Sequence, residues 1–171
     1  NQTNGGKAVQ NTANCYLINN PGTYSLPLVY GNAIKNGGDN SSAYTSTATG
    51  VVLTKFIKHD GQAITDPYIY NNYTVSGSDT TYLKPAGARI VWQDESGLIA
   101  SVALSTDKKL LVFTTATGTA FKQGNAVIAV IAEKAQDSDP DVILWSWHIW
   151  VTDYTLGSDD RTFYNATETD D

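Results

Sequence analysis

Methionine is absent, cysteine occurs once, and charge is scarce. With Cys15 alone, no internal disulfide can form, and neither a disulfide scaffold nor a cysteine-based zinc site fits. Charged residues make up 16% of the 171 positions, well below the usual share of about 25%. Surface polarity must therefore come from Asn, Ser, Thr, Gln and Tyr, the residues of turns and exposed strands. No apolar run approaches the ~18 residues of a membrane helix. No stretch beyond about eleven residues keeps the i, i+3, i+4, i+7 spacing of an amphipathic helix. The elbow Gly-x-Ser-x-Gly, the phosphate loop and the dinucleotide fingerprint are all missing, so the chain reads as no enzyme and calls for no cofactor. A net charge of −6 repels phosphate backbones and anionic lipid, which excludes nucleic acid and direct membrane insertion as expectations.

What is present is a succession of short β-branched and aromatic runs separated by turn residues. Cys15 to Ile18 stops at Asn19-Asn20-Pro21-Gly22, and Thr23 to Tyr30 resumes, as a hairpin or a handover between sheets. Gly31 to Thr49, rich in Gly, Asn and Ser, reads as a long surface loop. Further strands are expected over Val51 to Ile57, Tyr68 to Val75, Ala88 to Gln93, Leu98 to Leu104, Leu110 to Thr115, Asn125 to Glu133 and Val142 to Thr152. Asp94-Glu95-Ser96-Gly97 reads as a hairpin loop with Gly97 left-handed. The fold expected is all-β: an immunoglobulin-like Greek-key β-sandwich of about 7–10 strands with one long Gly/Asn/Ser-rich loop. Residues 1–12 are expected to be a flexible lead-in, 13–155 the sandwich, and 156–171 a linker toward a further C-terminal domain. Asn1 in place of an initiator suggests a processed piece of a longer chain.

Ile143-Leu144-Trp145-Ser146-Trp147-His148-Ile149-Trp150 is the most distinctive stretch, with three tryptophans in six residues. It resembles the Leu-Trp-Ser-Trp-His-Ile-Trp motif of fimbrillin-family surface proteins of Bacteroidetes. Ala13-Asn14-Cys15-Tyr16, Pro21-Gly22-Thr23-Tyr24, Leu28-Val29-Tyr30-Gly31-Asn32-Ala33 and Gly124-Asn125-Ala126-Val127-Ile128-Ala129 resemble further blocks of that family in order. The resemblance spans residues 13 to 153. It implies an exported domain at the cell surface or outer membrane, in a fimbria or surface lipoprotein. Its partners would be neighbouring domains or subunits, a glycan or a host protein. It carries over no catalytic residue.

Several side chains are candidates for contact. Strand alternation places Ile143, Trp145, Trp147, Ile149 and Val151 on a core face, with Leu144, Ser146, His148, Trp150 and Thr152 opposite. Trp150 beside His148 has the chemistry of a sugar-stacking platform, although burial of both faces, with Trp150 under a loop or neighbouring domain, is the expected outcome. Tyr68, Tyr70, Tyr73 and Tyr82, beside Asn71 and Asn72, have the chemistry of an adaptable contact surface. Asp137, Asp139 and Asp141 alternate as three hard oxygen donors, an incomplete calcium set better read as a solvated turn. His59 and His148 are the only histidines and share no ligand motif. Cys15 is expected to be buried.

Overall fold

The computed structural model describes residues 11–45, 56–58, 63–72, 84–132 and 140–153. Nine strands are described: β1 (Cys15–Ile18), β2 (Thr23–Pro27), β3 (Ile34–Lys35), β4 (Gly38–Asp39), β5 (Pro85–Gln93), β6 (Ile99–Leu104), β7 (Leu110–Thr115), β8 (Gly124–Ala132) and β9 (Ile143–Val151). Helix among the described residues is limited to 3-10 turns such as Ser41–Ala43, Ile69–Asn71 and Gly118–Ala120. One sheet has the order β1-β9-β8-β5 and a second the order β2-β7-β6, with β3-β4 a small separate ladder. Taking the strands other than β3 and β4 as A to G gives C-F-G in one sheet and B-E-D in the other, the strand order of an immunoglobulin-like sandwich. The first strand joins G, in parallel.

The alternation of each strand explains the core. In β7, Leu111, Phe113 and Thr115 point inward; in β9, Trp147, Ile149 and Val151 do so. Ile128 and Val130 of β8, Leu26 of β2 and Ile18 of β1 complete one apolar cluster fed by both sheets. Tyr24 stacks on Phe113 across the β2–β7 pair at 5.4 Å. Trp147, 1% exposed, is among the largest side chains wholly inside.

Two bulges decide which aromatic side chains leave that core. Val91 is the extra residue between the pairs Ile90–Ile128 and Trp92–Val127, so Ile90 and Trp92 fall on opposite faces. Leu144 is the extra residue between Val130–Trp145 and Ile131–Ile143. The alternation read from sequence fails there: Leu144 is buried, whereas Ile143 is 37% exposed.

Other expectations are corrected. Cys15 is exposed, because β1 is an edge strand and its first residue stands on the outer face. Pro21-Gly22 hands the chain from one sheet to the other, and so does Asp94–Gly97, which is therefore no hairpin, although Gly97 is left-handed as expected. Within the expected loop after Gly31, the Asn36–Ser42 stretch supplies no core, yet Ala33, Ile34 and Tyr44 are buried. Tyr44 donates to both Asp39 carboxylate oxygens at 2.9 Å, and burial followed by that carboxylate pushes its hydroxyl up to about 12. Of the strand expected over Tyr68 to Val75, residues 73–75 lie outside the described residues, and Ile69–Asn71 form a 3-10 turn. Side-chain bonds override β propensity there. Asp66 Oδ1 accepts from the Tyr68 N–H, and Asn72 Oδ1 accepts from the N–H groups of Thr65 and Asp66. Of the strand expected over Val51 to Ile57, residues 51–55 lie outside the described residues, and Ile57 makes a single bridge to Ala63.

Trp147→Ala is expected to cost about 3–5 kcal/mol of unfolding free energy, as for a buried large aromatic. Trp150→Ala on the same strand should stay within about 0.5 kcal/mol of the parent. Urea unfolding of the two variants checks the difference.

Candidate functional site

The outer face of the β1-β9-β8-β5 sheet collects the polar and aromatic side chains that the core rejects. Paired residues on adjacent strands point to the same side, so the register defines rows. Cys15, His148, Val127 and Trp92 form one row, and Leu17, Trp150 and Asn125 form the next. Trp92 is 51% and Trp150 48% exposed. Strand spacing and rise put their Cα atoms about 12 Å apart. Between them lie Val127, His148 and Asn125. Trp145 is held differently: it donates from Nε1 to Asn14 Oδ1 at 3.0 Å and meets the Tyr30 ring edge-on at 5.1 Å.

A chain of hydrogen bonds crosses this face. Cys15 Sγ lies 3.1 Å from His148 Nδ1, and His148 Nε2 lies 2.9 Å from Asn125 Oδ1. Asn125 donates from Nδ2 to Asp94 Oδ2 at 3.1 Å and from its backbone N–H to Asp94 Oδ1 at 2.7 Å, while the Asp94 N–H donates to the Asn125 carbonyl at 3.0 Å. The protonation pattern follows from the Asp94 end. A carboxylate only accepts, so the Asn125 amide must turn its NH₂ to Asp94 and its oxygen to His148. That oxygen requires a proton on Nε2, so that in the neutral ring Nδ1 is the acceptor facing Cys15 Sγ.

Asp94 is held below the usual carboxylate range, first by the Asn125 N–H and then by the Asn125 side chain. Gly124 makes that approach possible, since a Cβ at this position would run into Asp94 Oδ1.

The remaining sequence candidates lie elsewhere. Tyr68 and Tyr70 stack on each other at 5.4 Å, and Tyr70 also lies under Lys109 Nζ, 5.7 Å from the ring centre. Tyr70, Lys84, Pro85, Asp107, Lys108 and Lys109 line a cavity of about 210 Å³ beside the β6–β7 turn. Tyr73, Tyr82 and His59 lie outside the described residues, as do Asp137 and Asp139. Asp141 takes a 2.9 Å ion pair from Arg89, and no group of three metal-ligating side chains exists among the described residues. Trp150 and His148 do share one surface, and it is open rather than covered among the described residues. Sequence reasoning missed Trp92, Asn125 and Asp94 as their neighbours, and placed Cys15 inside. Cross-strand register brings these residues together, and nothing local in the sequence encodes it.

A depressed folded-state carboxyl contributes stability that is present above its unfolded value, near 3.9, and is lost as pH falls through the folded value. The unfolding free-energy difference between the parent and Asp94→Ala should therefore be constant near neutrality and shrink below about pH 4, as urea unfolding across that range would measure. Gly124→Ala should displace Asp94 and reproduce the Asp94→Ala loss; an unchanged stability would refute the packing argument. Compared with protein-family models, with curated proteins and with solved structures, the chain matches none.

Proposed function

We propose that this chain is a non-catalytic cell-surface module of a fimbria or surface lipoprotein, acting in adhesion or assembly through the outer face of its β1-β9-β8-β5 sheet. The observation that carries this reading is the exposure of Trp92 and Trp150 on one strand-built face. Large aromatic side chains left outside a core supply most of the energy of a contact surface when they are covered. Rigid strands hold these two, so little ordering entropy opposes binding. The fimbrillin-like motif blocks support an exported location and give the reading its surface setting. The acidic balance agrees, since it disfavours nucleic acid and anionic lipid as alternatives.

Carbohydrate is the second reading, and a specific observation favours it. Trp150 stands near groups that can still donate or accept hydrogen bonds: Ser146 and Asn125 share its face. An indole face with polar neighbours suits a sugar ring, whose axial C–H groups stack while its hydroxyls bond.

Trp150→Ala and Trp92→Ala should each weaken partner binding about tenfold or more, equivalent to about 1.4 kcal/mol. Tryptophan fluorescence titration with an oligosaccharide panel tests the glycan reading. Sedimentation of the chain alone, and with a truncation lacking residues 1–20, tests assembly. Binding and assembly unaffected by both tryptophan variants would remove the face from the function.

A further inference from the structure

We propose that Cys15 is a primed nucleophile and that this module forms a mixed disulfide with a disulfide-bearing molecule brought to the outer sheet face. The thiolate is the attacking species in disulfide exchange, so the reaction is helped by a base positioned to take the thiol proton. His148 is such a base: its Nδ1 is 3.1 Å from Sγ, within hydrogen-bond reach. The base-competent tautomer is imposed from behind. Asp94 orients Asn125, Asn125 accepts from Nε2, and only Nδ1 remains to accept. Each member sits on or beside a paired strand, so the thiol and its base are held before any partner arrives. Cys15 is an exposed residue, and Trp150, one row away, offers an incoming molecule a surface to rest on.

The chemistry fits disulfide exchange better than acyl transfer. Acyl transfer builds an oxyanion that needs two converging donors. Strand backbone N–H groups lie in the plane of the sheet, while the Cys15 side chain stands perpendicular to it. A sulfur attacking a disulfide builds no oxyanion. Cys15 loses its proton to His148 Nδ1 and bonds to one sulfur of the partner. The partner's S–S bond breaks, and the departing thiolate takes that proton from His148. Cys15 is oxidised, the partner disulfide is reduced to one thiol, and one covalent link per chain results without turnover.

The test uses glutathione disulfide and intact-mass detection of the glutathionyl adduct on the full chain at neutral pH. The folded chain should react about tenfold or more faster than the same chain unfolded in urea, which supplies the rate of an unassisted thiol. His148→Gln, verified as folded by its unfolding transition, should lose that advantage. Asn125→Ala should lose part of it, and the ¹⁵N shifts of the His148 ring should then report mixed tautomers where the parent shows Nε2–H alone. A folded chain no faster than the unfolded one, or a folded His148→Gln variant as fast as the parent, would overturn the proposal and leave Cys15–His148 a structural hydrogen bond. If His148→Gln does not fold, the folded-to-unfolded ratio of the parent decides alone.

Discussion

The parallel pairing of Cys15–Ile18 with the C-terminal strand is the contact on which the outer face depends. It places Tyr16 against Ile149 and Ile18 against Val151, closing the edge of the core. It also brings Cys15 to His148, 133 residues away in sequence, and Asn14 to Trp145. Parallel strands cannot be joined by a tight turn. The intervening strands of both sheets are the crossover, so this ladder joins the two ends of the described sandwich. Its four residues make a short ladder, extended by the His148 N–H bond to Asn14 and the Thr152 N–H bond to Ile18.

The fold class was readable because period-two alternation and turn chemistry agree along the second half of the chain. The runs at Leu98, Leu110, Asn125 and Val142 form strands within a residue or two of their expected limits. Errors arise where one residue is added or a side chain competes for the backbone. A bulge at Val91 turns Trp92 outward, and another at Leu144 exchanges its environment with that of Ile143. Neither position differs in composition from an ordinary strand residue. At Ile69–Asn71, Asp66 and Asn72 capture backbone groups that a strand would have offered to a neighbour. The error at Cys15 has another origin: a small apolar residue beside an apolar run suggests an interior position, and only sheet order reveals that its strand lies at an edge.

The candidate site was half legible. His148 and Trp150 were found because alternation along one strand needs no knowledge of neighbours. Trp92, Asn125 and Asp94 were not, because their relation to His148 is one of register between strands. The polar chain also shows how an exposed charge can act at a distance without a strong field. Asp94 is solvent-facing, and its Coulomb influence on Cys15 is weak in water. It acts through bond direction: the amide it orients selects a tautomer, and the tautomer selects which ring nitrogen meets the sulfur.

The order of synthesis adds a consequence to the β1–β9 ladder. Of the described strands, Cys15–Ile18 is synthesised before the others, and its only described partner, Ile143–Val151, after them. Until Ile143–Val151 has emerged and docked, Cys15 lacks the His148 imidazole that stands beside it in the folded chain. On the proposal above, the thiol gains its base when Ile143–Val151 pairs with Cys15–Ile18, and its reactivity would then report that this ladder has closed.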